Sequence, residues 1–491
     1  MAIKRYVATK DNTITNAFKA NLSTRGTGSN MGASDISEVF SIYGQANSSS
    51  IEKSRLLTEF STTDIQTDRT AGNIPASGSV KFYLKLYNAP HASTTPKDYT
   101  LVVHAVSRSW DEGIGLDMEG YEDIGACNWI AAQSASSGET AWTTEGGDFH
   151  TGAYSAGTNL PFYSQTFASG REDLEINVTA LVEEWLAGGS GARANYGVGV
   201  YLTSSQESGD GETSYYTKKF FARKTEFFYK RPIIEARWDS SDKDNAGSFY
   251  LSSSRVPAAD NLNTLFLYNE VRGQLKDIPG LDQGKLRLSV YSSLGGEKIT
   301  LPIGGGVSVN NHTNVTGGYI DTGIYTASFA YTGSSTTIYP VWHSGSTEYL
   351  SASAITVKTF DGSRINPNPK YVSKITNLRS TYDKHEVARF RLYTRQKDWN
   401  PTIYTKASTD IETSIIEDAY YRIVRTVDDL EVIPYGTGTL NYTRVSYDAS
   451  GSYFDLDMQL LEPGYSYLAT FVYYINGAYQ EQPEMFKFRV E

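Results

Sequence analysis

The sequence contains a single cysteine in 491 residues, Cys127, so no intramolecular disulfide can form. Extracellular all-β modules often depend on such bridges, and without them stability must come from buried area, ions or partners. The lone thiol reads as a small buried hydrophobe. Charge is scarce too: charged residues make up 20% of the chain, and the formal net charge is -11. That balance argues against nucleic acid as a partner, because phosphate binding needs a concentrated basic surface. The densest basic stretch, KKFFARK from Lys218 to Lys224, reads as the polar face of an aromatic strand. No apolar run approaches the roughly 18 residues that span a bilayer, so no membrane insertion is expected. The N-terminal MAIKRYVATKDNTITNAF lacks the apolar segment of a secretory signal, which points to synthesis in the cytoplasm.

Signatures of catalysis are missing as well. The six histidines show no H-x-H, H-E-x-x-H or other metal-ligand spacing, and no G-x-S-x-G elbow, P-loop or dinucleotide fingerprint occurs. Carboxylate pairs exist, but sequence cannot place two of them the ~5 to 9 Å apart that glycoside hydrolysis requires. The chain therefore reads as a non-enzyme, with no catalytic residue and no cofactor.

What is abundant is Tyr (36) and Gly (43), with many Ser and Thr. Tyr, Thr, Val and Ile suit half-buried pleated surfaces, and Gly, Asn, Asp and Ser suit turns, so the expected fold class is all-β. One stretch departs from this. After the alternating Leu174, Ile176 and Val178, the residues Leu181, Val182, Trp185 and Leu186 fall on one face of a short helix. Thr179 is placed to cap it and Gly188-Gly189 to end it, with Glu183 and Glu184 toward its positive end. That apolar face should plug the end of a β-sandwich.

Length implies more than one core. Residues 1–240 carry the strands IKRYVAT, VFSIYGQ, SRLLTEFS, VKFYLKLYN, YTLVVHAVS, LEINV, GVGVYL, KKFFARK and IIEARW, a pattern that predicts a two-sheet jelly roll with one short helix. The polar DSSDKDNAGS (Asp239 to Ser248) marks a boundary. Residues 241–365 supply FYLSSS, NTLFLYNEV, KLRLSVYSS, KITLPI, GIYTASFAY, TTIYPVWHS and AITVKTF. Their Asp321-Thr-Gly323-Ile-Tyr325-Thr-Ala327 follows the tyrosine-corner pattern of immunoglobulin-like sandwiches, with Ala327 where a cysteine would stand. SRINPNPK (Ser363 to Lys370) reads as a proline-stiffened linker. Residues 366–491 form a third unit, where Leu461-Glu-Pro463-Gly464-Tyr465-Ser-Tyr467 resembles the corner of fibronectin type III sandwiches.

The connection from Ser107 to Ser169 is unusually long and holds the candidate sites. Asp111, Asp117, Glu119 and Asp123 are candidate ligands for a structural calcium ion, since hard cations gather oxygens in turns; a solvated acidic loop is the plainer reading, because the D-x-D-x-D-G core of an EF-hand is missing. Glu145 and Asp148, around Gly146-Gly147, form a weaker pair of the same kind. Trp110, Trp129 and Trp142 offer either an aromatic platform for carbohydrate or buried anchors for the loop.

Several motifs recur in an order that resembles the disaggregatase-related domain called DNRLRE. They are Asp11-Asn12-Thr13-Ile14, Asn30-Met31-Gly32, Arg55-Leu56-Leu57-Thr58-Glu59-Phe60, Trp110, and Trp142 with Gly146-Gly147-Asp148. The helix follows, as Asn177, Val178, Thr179, Leu181, Val182, Trp185, Leu186 and Gly188, then Asn195-Tyr196-Gly197, Phe221-Ala222-Arg223-Lys224 and Arg231-Pro232-Ile233. The resemblance spans nearly all of residues 1–240 and implies a jelly roll of the kind found in surface proteins, sometimes with carbohydrate binding. The chain departs from it in the expanded 107–169 connection and in Ala222-Arg223-Lys224, where S-R-E is usual.

Such a domain joined to two immunoglobulin-like modules resembles structural proteins of tailed bacteriophages. The implied role is a head, neck or tail accessory or fibre protein located in the virion, with other virion proteins as partners, a homo-oligomeric state and contact with host-surface glycan. A carbohydrate-binding or adhesive surface module is the alternative.

Overall fold

The computed structural model describes residues 2–491 other than 92–94, 117–125, 136–137, 152–162, 191, 209–211, 282–283, 360–367, 398–402 and 404–412. The described chain is all-β with three short α-helices, and it divides into two compact units, Ala2–Asp239 and Ser240–Glu491.

The first unit runs β1 (Ile3–Thr15), β2 (Ile36–Tyr43), β3 (Ile51–Phe60), α1 (Thr62–Thr70), β4 (Lys81–Leu86), β5 (Tyr99–Ala105), β6 (Ala131–Ala135), β7 (Gly138–Ala141), β8 (Tyr163–Phe167), β9 (Leu174–Asn177), α2 (Thr179–Ala187), β10 (Val198–Leu202), α3 (Ser204–Ser208), β11 (Tyr215–Phe221) and β12 (Ile233–Arg237). The hydrogen-bonded order is β8-β5-β10-β3-β1-β12-β4-β9, with β2 joining β3 to β11. Strand β1 belongs to both faces. Its first half pairs with β12, its register slips between Ala8 and Lys10, and its second half pairs with β3. A bulge of this kind bends a strand, which lets one strand turn the corner between two sheets.

Alternation decides what each strand buries. Val80, Phe82, Leu84 and Leu86 enter the main core as the sequence implied, joined there by Leu56, Val103, Val198, Val200 and Ile234. Helix α2 adds Leu181, Val182 and Trp185 to that core, with Leu186 packed at its margin. Thr179 does not cap it: Val178 is the N-cap residue and makes no side-chain cap bond. The Thr179 hydroxyl instead donates to Asn177 and accepts the Phe82 amide, tying the helix to β4. Glu183 and Glu184 are taken by Arg69 and Arg193.

Helix α1 had no counterpart in the sequence reading. Its only buried side chain is Ile65, so it has no apolar stripe; the Ser61 side chain caps it and a fork from Arg69 to Glu183 holds it to α2.

The second unit contains two pairs of sheets. In one pair, a three-stranded sheet (Asn263–Tyr268, Ile324–Phe329, Gly318–Asp321) faces a larger one centred on Arg287–Tyr291 and Thr337–Ser344. Leu265, Leu288, Val290, Phe329 and Trp342 fill the space between them. KITLPI and FYLSSS are not strands here and contribute only single bridges at Lys298 and Tyr250. The strands Gly318–Asp321 and Thr347–Ser351 appear instead, exposed and without apolar alternation, together with Asn311–Thr316, which buries Val315 alone. The Tyr325 hydroxyl accepts the amide of Ile278, 47 residues away, so this tyrosine ties its strand to the connection around Ile278 rather than bonding locally.

In the other pair, Phe454 stacks on Phe390 at 4.9 Å and meets Tyr421 at 4.3 Å and Phe471 at 5.8 Å across the sheets. Tyr467 behaves as its motif implied: it is fully buried and its hydroxyl donates to the Glu462 carbonyl at 2.7 Å. The polar stretch after Asp239 is not a free linker. Lys243 bridges Tyr447 in parallel, with Tyr447 donating to the Asp242 carbonyl and Asp244 to that of Tyr447. Of the second expected linker, residues 363–367 lie outside the described ones.

Candidate functional site

Strands β3 and β10 are buried on both faces, which alternation alone would not produce. Leu56 faces the main core while Leu57 faces a second apolar cluster of Ile14, Val106, Trp110, Cys127, Trp129, Ala132 and Trp142. The long connection after β5 therefore folds back over the outside of the sheet. Gly199 shows how closely it lies: a β-carbon there would stand 2.1 Å from the Phe149 ring, so only glycine fits.

The three tryptophans are 0%, 4% and 5% exposed at positions 110, 129 and 142. They present no flat face to solvent, because the apolar underside of the loop needs them to cover Ile14 and Leu57. Their polar edges are satisfied within the fold: Trp110 Nε1 donates to the Tyr196 carbonyl and Trp142 Nε1 to that of Asn128. The platform for sugar rings considered for these residues is replaced by buried anchors.

The motif residues converge on this layer. Asn12 donates to the Cys127 carbonyl at 3.0 Å and accepts the Met31 amide, and Asn30 accepts the Gly115 amide. Asn195 donates to the Phe60 carbonyl at 2.7 Å. Arg55 forks onto Glu207, donates to the Gly146 carbonyl at 2.9 Å, and lies 4.6 Å from the Tyr201 ring centre and 5.4 Å from that of Trp129. Glu207 was not singled out from sequence, since nothing near Thr203 marks it as the partner of a residue 152 positions away.

A latch of charges closes one side. Glu112 forks with Arg223 and accepts the Asp11 amide, while Asp11 accepts the amide of Arg223. The lysines and arginines of the KKFFARK stretch are largely taken inside the fold: Lys218 is buried against Asn88, Gly170 and Glu172, and Lys219 pairs with Glu38.

Of the proposed calcium ligands only Asp111 is among the described residues; Asp117, Glu119 and Asp123 lie outside them. Asp111 is half-buried and its carboxylate accepts a 3.4 Å bond from Gln133. Asp148 accepts the amides of Thr143 and Thr144 and pairs with Arg108, which makes it the staple of its turn. Among the described residues no group of three or more His, Cys, Asp or Glu is arranged to hold a metal ion.

Cys127 and Asp11 in this layer are displaced in pKa. Burial pushes the Cys127 thiol up to about 12, which leaves it unreactive at neutral pH. Burial, helped by the neighbouring Glu112 charge, pushes the Asp11 carboxyl up to about 7 against the opposing pull of Arg223 and Lys224. A carboxyl with a raised native pKa binds its proton more tightly when folded, so its ionisation costs stability. The cost is absent below the ordinary value of 3.8 and complete above about 7. Asp11→Asn is therefore expected to stabilise the protein on the order of a few kcal/mol at pH 8 and hardly at all at pH 3.5. Thermal unfolding at the two pH values checks this, and a variant less stable than the parent at pH 8 refutes it.

No family model and no curated protein matches the chain. Among solved structures, it has a likeness to the Yersinia pseudotuberculosis adhesin InvE, at 13% identity over 47% of this chain and 55% of the adhesin, with a TM-score of 0.15. A second likeness is to Salmonella alpha-2-macroglobulin reacted with methylamine, at 6% identity over 99% of this chain and 26% of that one, also with a TM-score of 0.15. The chain thus spans about half of the adhesin and about a quarter of the macroglobulin, and TM-scores this low carry no argument.

Proposed function

We propose that this chain is a non-enzymatic structural component of a tailed-phage virion, a head, neck or tail accessory or fibre protein, acting through protein–protein assembly and contact with the host surface. The observation that supports this most is the set of exposed sheet edges in the second unit. Among the described residues, Gly318–Asp321, Thr347–Ser351 and Ala478–Glu481 each pair on one side only and expose Tyr319, Ile320, Tyr349, Leu350 and Tyr479. Edge strands offer unpaired backbone groups to another chain, and tyrosine supplies contact area at low entropic cost. The DNRLRE-like motifs joined to further sandwiches agree with this reading. Mass spectrometry of purified phage particles tests it: the chain is expected in intact virions at stoichiometric abundance, and its absence from them overturns the proposal.

A carbohydrate-binding module is the second reading, and it has moved from the loop tryptophans to another place. A groove of about 620 Å³ lies between α1 and α2, lined by Thr62, Thr63, Gln66, Thr67, Trp185 and Leu186 among others. Its volume falls within the roughly 300–1,000 Å³ of small-ligand sites. Saturable binding on a glycan array, lost on Gln66→Ala with Thr67→Val, supports this reading, and an array without signal removes it. Among the described residues no helix is long and apolar enough to cross a membrane.

A further inference from the structure

Residues 242–248 serve two sandwiches of the second unit at once. On one side the segment lies in parallel along the edge strand Ser446–Asp448: Lys243 bridges Tyr447, the Asp242 amide reaches the Ser446 hydroxyl at 3.0 Å, and Tyr453 donates to the Asp242 carboxylate at 3.1 Å. On the other side it meets the edge strand Asn263–Tyr268. Asn245 accepts the Thr264 amide at 2.9 Å, and the Asp244 carboxylate accepts the amides of Ala246 and Phe266. Thr264 and Phe266 are two residues apart, so both amides point off the same side of that strand. Edge strands leave such groups unpaired, and here one short segment satisfies two edges. The fit is close: a β-carbon on Gly247 would stand 2.9 Å from the Ala449 backbone, so a side chain there would force the segment off the strand.

The charges in this joint conflict. Asp244 is 5% exposed and faces Asp448 on the neighbouring strand and Asp242 on its own segment, where Lys243 is next to it in sequence. The cations close by are engaged: Arg391 pairs with Asp448 and Arg389 with Asp455, each at 2.8 Å. Tyr268, from the other sandwich, and Tyr447 also feel the Asp244 charge, and burial first of all pushes both hydroxyls up, so they stay neutral. Burial above all, then the Asp448 and Asp242 charges, push the Asp244 carboxyl up to about 6 against the pull of its two amide bonds.

We propose that residues 242–248 form a pH-sensitive clasp between the two sandwiches of the second unit, closed in mild acid and loosened as Asp244 ionises. A carboxyl that holds its proton more tightly when clasped than when released favours closure at low pH. Released, Asp244 titrates at its ordinary 3.8, so closure is strongest below that value and declines as the pH rises through about 6. Between pH 5 and pH 8 the preference for the closed state falls about tenfold. Both edges feel the change, because the Asp244 carboxylate holds the Phe266 amide and its own amide holds the Tyr447 carbonyl. The clasp acts within one chain and does not depend on the assembly reading above.

Hydrogen exchange of the full chain tests this, measured by mass spectrometry with fragmentation to single amides at pH 5 and pH 8 and with intrinsic rates divided out. Protection of the Asp244, Ala246, Thr264, Phe266 and Tyr447 amides is expected to fall about tenfold at pH 8, while the central strand Ala419–Arg425 keeps its protection. Asp244→Asn is expected to hold the clasp at pH 8 and erase the fall. Asp448→Asn, which leaves Asp244 and its amide bonds in place, is expected to shrink the fall, and it decides the matter if Asp244→Asn does not fold. The proposal is overturned by protection that is equal at the two pH values or higher at pH 8. A fall confined to one of the two edges, or folded variants that keep the fall of the parent, overturn it too.

Discussion

Glu235→Ala is expected to cost about 3–5 kcal/mol, the range seen when one partner is removed from a buried ionic network. Glu235 sits at the centre of β12 and is 2% exposed. Arg5 Nε reaches its carboxylate at 2.6 Å, Arg237 forks onto it at 2.6 and 2.7 Å, and Lys85 stands 3.8 Å away. Burial by itself would raise its pKa, but Lys85, Arg5 and Arg237 outweigh that and hold it well below the usual carboxylate range. Removing the carboxylate takes the central acid away from the buried Lys85 and Arg237 and the half-buried Arg5, leaving Glu175 at the margin to answer Lys85 and Arg237.

Because its native pKa is depressed, Glu235 stabilises fully above its ordinary value of 4.5, and that contribution is lost as the pH falls below it toward the native pKa. The difference between the parent and Glu235→Gln should therefore narrow in acid. Urea unfolding followed by circular dichroism at pH 7 and at pH 3 measures both effects. A loss under about 1 kcal/mol at pH 7 would mean that relaxation or water screens the network, as it does for surface pairs.

Trp110→Ala is expected to cost a similar amount, about 3–5 kcal/mol, through the cavity it leaves. The indole is fully buried in the second apolar layer, its Nε1 bonds to Tyr196, and Lys10 lies 5.6 Å from the ring centre. Emptying that position unseats the covering connection from Ile14 and Leu57. Earlier thermal unfolding and faster amide exchange around residues 105–112 and 126–132 are the expected signs, with Trp110→Phe recovering part of the loss. A variant of unchanged stability that has instead lost a glycan would restore the platform reading.

Much of the fold could be read from the chain because single strands and helices declare one face by period. Val80, Phe82, Leu84 and Leu86 announced a core face, Leu181, Val182 and Trp185 announced a plug, and Pro463-Gly464 with Tyr467 announced a corner, all as the structure has them. Elements whose signal is polar could not be read this way. Helix α1 buries only Ile65, and the edge strands Gly318–Asp321 and Thr347–Ser351 are exposed throughout, so neither leaves a hydrophobic period.

The sequence by itself determined the all-β class, the inward faces of most first-unit strands and the position of α2, because local periodicity and turn chemistry act within a few residues. The second faces of those strands were left to the tertiary structure. Lys85, Glu235 and Arg237 look like solvent-facing members of an alternating strand, and only the meeting of β1, β12 and β4 buries them as a network. Trp110, Trp129 and Trp142 read as buried anchors ahead of a platform on the usual burial of tryptophan alone, and the folding of their loop over Leu57 decided for anchor. The physical reason is common to both: burial on a strand's outer face depends on what arrives there from far along the chain, and no local pattern encodes that arrival.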